Sequence, residues 1–175
     1  MLKLTALLLS VGATLGAQSA TPTTAATPMS DLSTLWTMAM GNVLKSATQV
    51  PDSLYAFKPT SSVRTYGQIL AHVAGSQHMF CAAALGEKGS AEDAIEKTKT
   101  TKADIVAALK ESNEHCAKAY ALSEQGVSGH AELFGQHQSK RFWLLLNASH
   151  DMEHYGNLVT YMRINGITPP SSQGR

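Results

Sequence analysis

The sequence predicts an all-α domain, an antiparallel four-helix bundle. Three observations carry this. Four stretches repeat apolar residues every three or four positions, residues that cap or stop helices bracket each stretch, and no segment shows the alternation of a strand. Helices of this length, each apolar along one stripe, bury those stripes against one another.

Ser30 or Asp31 is the expected cap of the first helix, which carries Leu32, Leu35, Trp36, Ala39, Val43 and Leu44 and ends at Val50-Pro51. Pro51 to Ser62 crosses to a second helix, marked by Val63, Tyr66, Ile69, Leu70, Val73, Phe80 and Leu85 and stopped by Gly86. Gly86 to Thr100 is polar and reads as loop. Thr101-Lys-Ala-Asp104 has the form of a capping box with Asp in the acidic place, and opens a third helix on the stripe Ile105, Leu109, Cys116 and Tyr120. Ser123 to Gln138, rich in Gly, Ser and Gln, leads to a fourth helix in which Phe142, Leu145, Leu146, His150, His154, Leu158 and Met162 recur. Gly166 and Pro169-Pro170 end it.

Ahead of the bundle, residues 1–20 have the layout of a secretory signal peptide. Met1-Leu2-Lys3 gives a basic start, Leu4 to Leu15 an apolar run too short to span a bilayer, and small residues follow, with cleavage expected after Ala17, Ser19 or Ala20. Residues 21–29 read as a flexible linker, 30–170 as the bundle and 171–175 as a tail. The expected location is therefore exported, periplasmic or secreted. No cysteine lies near the junction, so neither a lipid anchor nor any other stable membrane anchor is expected. The 175 residues, 43% hydrophobic and 15% charged, suit one globular domain. Removing Lys3 takes the formal charge from +1 to neutral, and no basic stripe remains to follow a phosphate backbone, so no nucleic-acid partner is expected.

The chemistry points to histidine. His150 and His154 lie four residues apart, about 40° apart on one helix face, which suits two imidazoles holding one metal ion. His72, on the second helix, is the best candidate for a third ligand. Three histidines with open positions would make a reactive site, whereas four protein ligands would make a structural one. Ordinary interior histidines would show the same spacing. His78 and His137 point away from the candidate faces by helical arithmetic, and His115 and His130 fit no pattern.

Residues 150–154 also match His-x-x-Glu-His, in which Glu153 would activate water beside two zinc-binding histidines. No Asp or Glu follows His154, so the usual downstream carboxylate ligand of such peptidases is missing. Asp151 stands where His-Glu-x-x-His places its acid, one methylene shorter. Glu153 and Asp151 are the candidate catalytic residues, weighed against their being solvated helix charges. Tyr155 and Arg163 are either substrate contacts or scaffold. Cys81 and Cys116, one on the second helix and one on the third, read after export as a disulfide in preference to two buried free thiols.

The motifs Phe57-Lys-Pro59, Tyr66-Gly67-x-Ile69-Leu70-x-His72-Val73-Ala74, His150-x-x-x-His154-x-Gly156 and Tyr161-x-Arg163-x-x-Gly166-x-x-Pro169-Pro170 occur in that order. Together they resemble the DinB-like (DinB/YfiT) four-helix-bundle metalloproteins over about residues 30–170. The resemblance implies up-down-down-up connectivity and a divalent metal, zinc or nickel in first place and manganese or iron after them, held by His72, His150 and His154. It implies either metal-dependent hydrolysis or thiol S-transfer on a small-molecule substrate. The competing reading is a non-catalytic metal-binding or scaffold bundle. A second copy of the chain, forming a homodimer, is the candidate macromolecular partner.

Overall fold

Local capping chemistry sets the start of each of the four expected helices in the computed structural model, which describes residues 26–174. They are α1 (Pro28–Gln49), α2 (Tyr66–Leu85), α4 (Lys102–Tyr120) and α5 (Lys140–Ile164), with a short α3 (Ala94–Thr98) inside the expected loop before α4. The expected signal peptide and most of the linker lie outside the described residues.

Thr27, not Ser30 or Asp31, caps α1. Its hydroxyl accepts from Ser30 N at 3.2 Å, the Ser30 hydroxyl accepts from Thr27 N at 2.8 Å, and Pro28 fills the first helical position, where no N–H is needed. The bundle therefore takes Pro28 and Met29 from the expected linker. A second capping box, Thr65 with Gln68, starts α2 at Tyr66, so Val63 stays in the preceding loop and remains 40% exposed. At the other end Gly86 adopts the left-handed conformation, φ 80°, that lets its N–H and that of Glu87 close the last turn. Thr101 caps α4 as expected, and Ser139 caps α5.

Two further expectations fail. Within the stretch read as loop, β1 (His130–Leu133) pairs antiparallel with β2 (Gln136–Ser139), in the register His130↔Ser139 and Leu133↔Gln136. Phe134 and Gly135, φ 54° and 70°, make the two-residue turn. β1 alternates over only four residues, with His130 and Glu132 exposed and Ala131 and Leu133 half-buried against Met79, Phe80 and Trp143, and β2 is polar throughout; Trp143 Nε1 donates to Ala131 O at 2.9 Å and ties the hairpin to α5.

The stripe assigned to the start of α5 is also rotated. Phe142, Leu145 and Leu146 stay at the surface, and Trp143, Leu144, Asn147, Ala148 and Asp151 face inward. The interior there is polar: Tyr120 OH donates to Leu144 O at 2.7 Å and accepts from Asn147 Nδ2 at 3.0 Å, beside the Asp151 carboxyl. An apolar count cannot find a face built partly from Asn and Asp.

Side-chain pairs fix the connectivity as up-down-down-up. Trp36 meets Gln77 and Ser46 meets Tyr66, so α1 and α2 run oppositely. Gly67 lies against Ile105 and Cys81 is bonded to Cys116, so α2 and α4 run the same way. Tyr120 meets Leu144, so α5 turns back. Both α4 and α5 pack against α2 and against α1. The Cys81–Cys116 disulfide, Cα atoms 5.2 Å apart, clamps α2 to α4.

The expected tail is docked rather than loose. Residues Pro170–Ser172 form a 3₁₀ turn, where Ser171 N donates to Tyr155 OH at 3.0 Å and Arg163 reaches Ser172 Oγ at 3.1 Å. Tyr155 and Arg163 thus hold the C-terminal segment as scaffold. Among the described residues no helix is long and apolar enough to cross a membrane.

Candidate metal centre

His72 lies in the second turn of α2 and His150 and His154 lie on successive turns of α5, so the α2–α5 contact decides whether they meet. They do. His150 Nε2 is 3.1 Å from His72 Nε2 and 3.0 Å from His154 Nε2, and the three rings offer ligand atoms within 4.8 Å of one another. Two nitrogens bound to one zinc at about 2.0–2.1 Å stand about 3.3–3.4 Å apart in a tetrahedron, so the observed spacings fall short by only a few tenths of an ångström. Three neutral imidazoles aimed at one point cannot satisfy each other, because a single N–H on His150 can serve only one neighbour. A cation at the centre accepts all three lone pairs, so the donor set fits a divalent metal ion.

With Nε2 reserved for a ligand role, each proton belongs on Nδ1, and a polar group faces each one. Ser76 Oγ, 3.3 Å away, can accept from His150 Nδ1; Glu96 Oε2 faces His72 Nδ1 across 3.6 Å, longer than a hydrogen bond; and the Asn157 side chain, whose Nδ2 is 3.5 Å from His154 Nδ1, accepts from that ring only with its oxygen turned toward it. Such partners orient metal-binding imidazoles. Glu96 is itself held by Arg64, whose Nε donates to both of its oxygens at 3.0 and 3.2 Å. Burial drives the His72 pKa down to about 4 and that of His150 to about 3, with the neighbouring histidines and Arg64 adding to it; burial also lowers His154. All three are therefore neutral at pH 7, the form that ligates.

A cleft of about 580 Å³ opens beside His154, lined by Arg64, Glu153, Asn157 and Tyr161 among others. Tyr161 fixes the mouth: its ring packs edge-on against Phe57 at 5.9 Å and its hydroxyl donates to Arg64 O at 2.9 Å. Of the two candidate catalytic carboxylates, Glu153 lies on this cleft. Asp151 is buried beside Asn147, makes no hydrogen bond or ion pair with the three histidines, and is pushed by burial well above the usual carboxylate range.

The remaining histidines lie elsewhere. His78 stacks on His115 at 4.7 Å, with His115 bonded to Glu87, and His130 stacks on His137 across the hairpin at 4.9 Å. Glu92 and Glu96, from the segment read only as polar loop, do reach the site: Glu92 Oε1 is 3.7 Å from both His72 Nε2 and His150 Nε2. Nothing in their spacing points to this. The available signal is Gly75, three residues after His72, which marks a close backbone approach to α2.

Known proteins resemble this chain in sequence and in fold. The chain is 27% identical over 126 residues to the uncharacterized protein YjoA of Bacillus subtilis (strain 168), covering 70% of this chain and 80% of that one. The crystal structure of that DinB-like YjoA superposes with a TM-score of 0.66 at 22% identity, over 83% of this chain and 99% of that one. A DinB-like protein from Bacillus cereus ATCC 10987 gives 0.66 at 17% identity over 79% and 93%. The mycothiol-dependent maleylpyruvate isomerase gives 0.63 at 18% identity over 75% of this chain and 61% of that one. At these identities the superpositions speak for the fold. The DinB superfamily model matches residues 35–158, which run from α1 into α5 and include all three clustered histidines, and the chain belongs to that superfamily.

Proposed function

We propose that this chain is an exported, metal-dependent enzyme whose His72, His150 and His154 hold one divalent ion, zinc or nickel, for hydrolysis or thiol S-transfer on a small molecule. The observation that carries this reading is the convergence of three neutral imidazoles beside an open cleft of about 580 Å³. When bound, such an ion lowers the pKa of a water or thiol so that a nucleophile is present near neutral pH. The chain's own residues supply the rest. Ser76 orients the His150 ring, Glu96 faces His72, and Arg64, paired through Nε with Glu96, lines the mouth where an anionic substrate group would enter. Glu153, on the same cleft, is positioned to accept a proton. Thiol transfer draws support from the fold shared with the mycothiol-dependent isomerase, and hydrolysis from the export reading, since low-molecular-weight thiols are abundant inside cells. Incubating zinc- and nickel-loaded protein with ester and with thiol–electrophile panels tests this. Turnover in one panel that disappears in His150→Ala supports the proposal; no turnover in either panel with fully loaded protein counts against catalysis and favours the non-catalytic reading.

Export is supported by the leader-like residues 1–20 and by a disulfide suited to an oxidising compartment. Intact-mass measurement on protein recovered outside the cytoplasm should show a chain beginning near Thr21. A mass that retains Leu4 to Leu15 would overturn it.

A further inference from the structure

Glu92 approaches the histidine cluster from the segment between α2 and α3, independently of both helices that carry the histidines. Its Oε1 is 3.7 Å from His72 Nε2 and 3.7 Å from His150 Nε2. An oxygen and a nitrogen sharing one tetrahedral zinc stand about 3.3–3.5 Å apart. The carboxylate oxygen thus stands a few tenths of an ångström beyond ligand spacing from two of the three imidazole nitrogens, close enough for a small side-chain rotation to bring it to an ion that those two share.

This reach is built into the backbone. A Cβ placed on Gly75 would stand 2.0 Å from the Glu92 carbonyl oxygen, so only glycine lets the 86–93 segment lie this close to α2. One turn further on, Glu96 is gripped by Arg64 and fixes α3 at the same mouth. The carboxylate is delivered by a close approach of main chains that any side chain at position 75 would prevent.

We propose that Glu92 is a fourth protein ligand, closing the resting site as a three-histidine, one-glutamate centre whose carboxylate an incoming anion or thiolate displaces. The proposal rests on the metal reading above. It gives the site both characters weighed from the sequence: closed by four protein ligands at rest, open when the carboxylate leaves.

Cobalt(II) serves as probe, because its visible absorption reports coordination number. Wild type should bind one ion with the intense spectrum of a four-coordinate site. Glu92→Gln should still bind one ion, at least tenfold more weakly in competition with a chelator. Its spectrum should differ and should respond to azide or mercaptoethanol at lower concentration than wild type. Gly75→Ala, with all four side chains intact, should move affinity and spectrum the same way. Circular dichroism and thermal melting of the metal-free variants should match wild type for Glu92→Gln, so the effect is read on folded protein. Wild-type affinity and an unchanged spectrum in Glu92→Gln would overturn the fourth ligand and leave the three-histidine site standing. Failure of wild type to bind cobalt, zinc or nickel would overturn both.

Discussion

Reducing the Cys81–Cys116 disulfide should destabilise the protein by about 4 kcal/mol. The bond closes a loop with a sequence separation of 35. In the chain-entropy treatment a closed loop of that length removes about 13 cal/mol/K from the unfolded ensemble, which is about 3.8 kcal/mol at 25 °C. For a domain of this size that corresponds to a fall in Tm of about 8–15 °C. Reduction isolates the cross-link, because both sulfurs remain in the buried contact between α2 and α4. The Cys81→Ala/Cys116→Ala double variant additionally removes two sulfur atoms from sites that are fully buried, and should lose somewhat more. The assay is thermal unfolding of native protein with and without reductant, with thiol labelling to confirm the redox state. A Tm that moves by less than about 2 °C on complete reduction would refute the reasoning, since the loop entropy would then have no counterpart in the unfolded chain.

Asp151→Asn should stabilise the protein at neutral pH. The native state keeps this buried carboxyl protonated while the unfolded chain releases its proton near pH 4, so stability falls as pH rises through that range; the amide keeps the shape and lacks the penalty. Melting curves between pH 4 and 8 should show the variant's gain growing with pH, and a variant less stable than wild type throughout would count against a neutral Asp151. The histidines act with the opposite sign. Their native pKa values lie below the unfolded value of about 6.5, with His72 at about 4 and His150 at about 3, so the unfolded chain takes up protons first as pH falls. Metal-free protein should therefore lose stability progressively from about pH 6.5 towards pH 4, and His72→Ala with His150→Ala should flatten that slope; an unchanged slope would place the acid sensitivity elsewhere.

Much of the site was legible because it sits on regular helices. The four-residue spacing of His150 and His154 fixes one face whatever the tertiary contacts, and His72 lies on the one other stretch whose pattern places a histidine among core residues. Thr101 and Gly86 were legible for the same reason, as local capping chemistry. What could not be read depends on contacts distant in sequence. Glu92 and Glu96 matter because the chain returns across Gly75, and a polar segment gives no sign of where it returns. Asn147 and Asp151 define the inward face of α5 through Tyr120, a residue of α4, so counting Phe142, Leu145 and Leu146 selected the wrong face. The hairpin escaped because its only apolar alternation is the pair Ala131 and Leu133 within a four-residue strand facing a polar β2, and its turn relies on Phe134-Gly135 instead of the commoner Asn-Gly.

The most direct test of the account is metal stoichiometry in purified protein after dialysis against zinc or nickel. About one ion per chain is expected in wild type, lost in His72→Ala, His150→Ala and His154→Ala. It should be retained in His78→Ala, whose ring stacks on His115 outside the cluster. Occupancy should persist well below the ordinary imidazole value of about 6.5 and fall as pH approaches about 4, where His72 begins to protonate in the folded chain. Absence of stoichiometric binding in wild type, or equal binding by His154→Ala, would contradict the metal centre and leave the bundle as a scaffold.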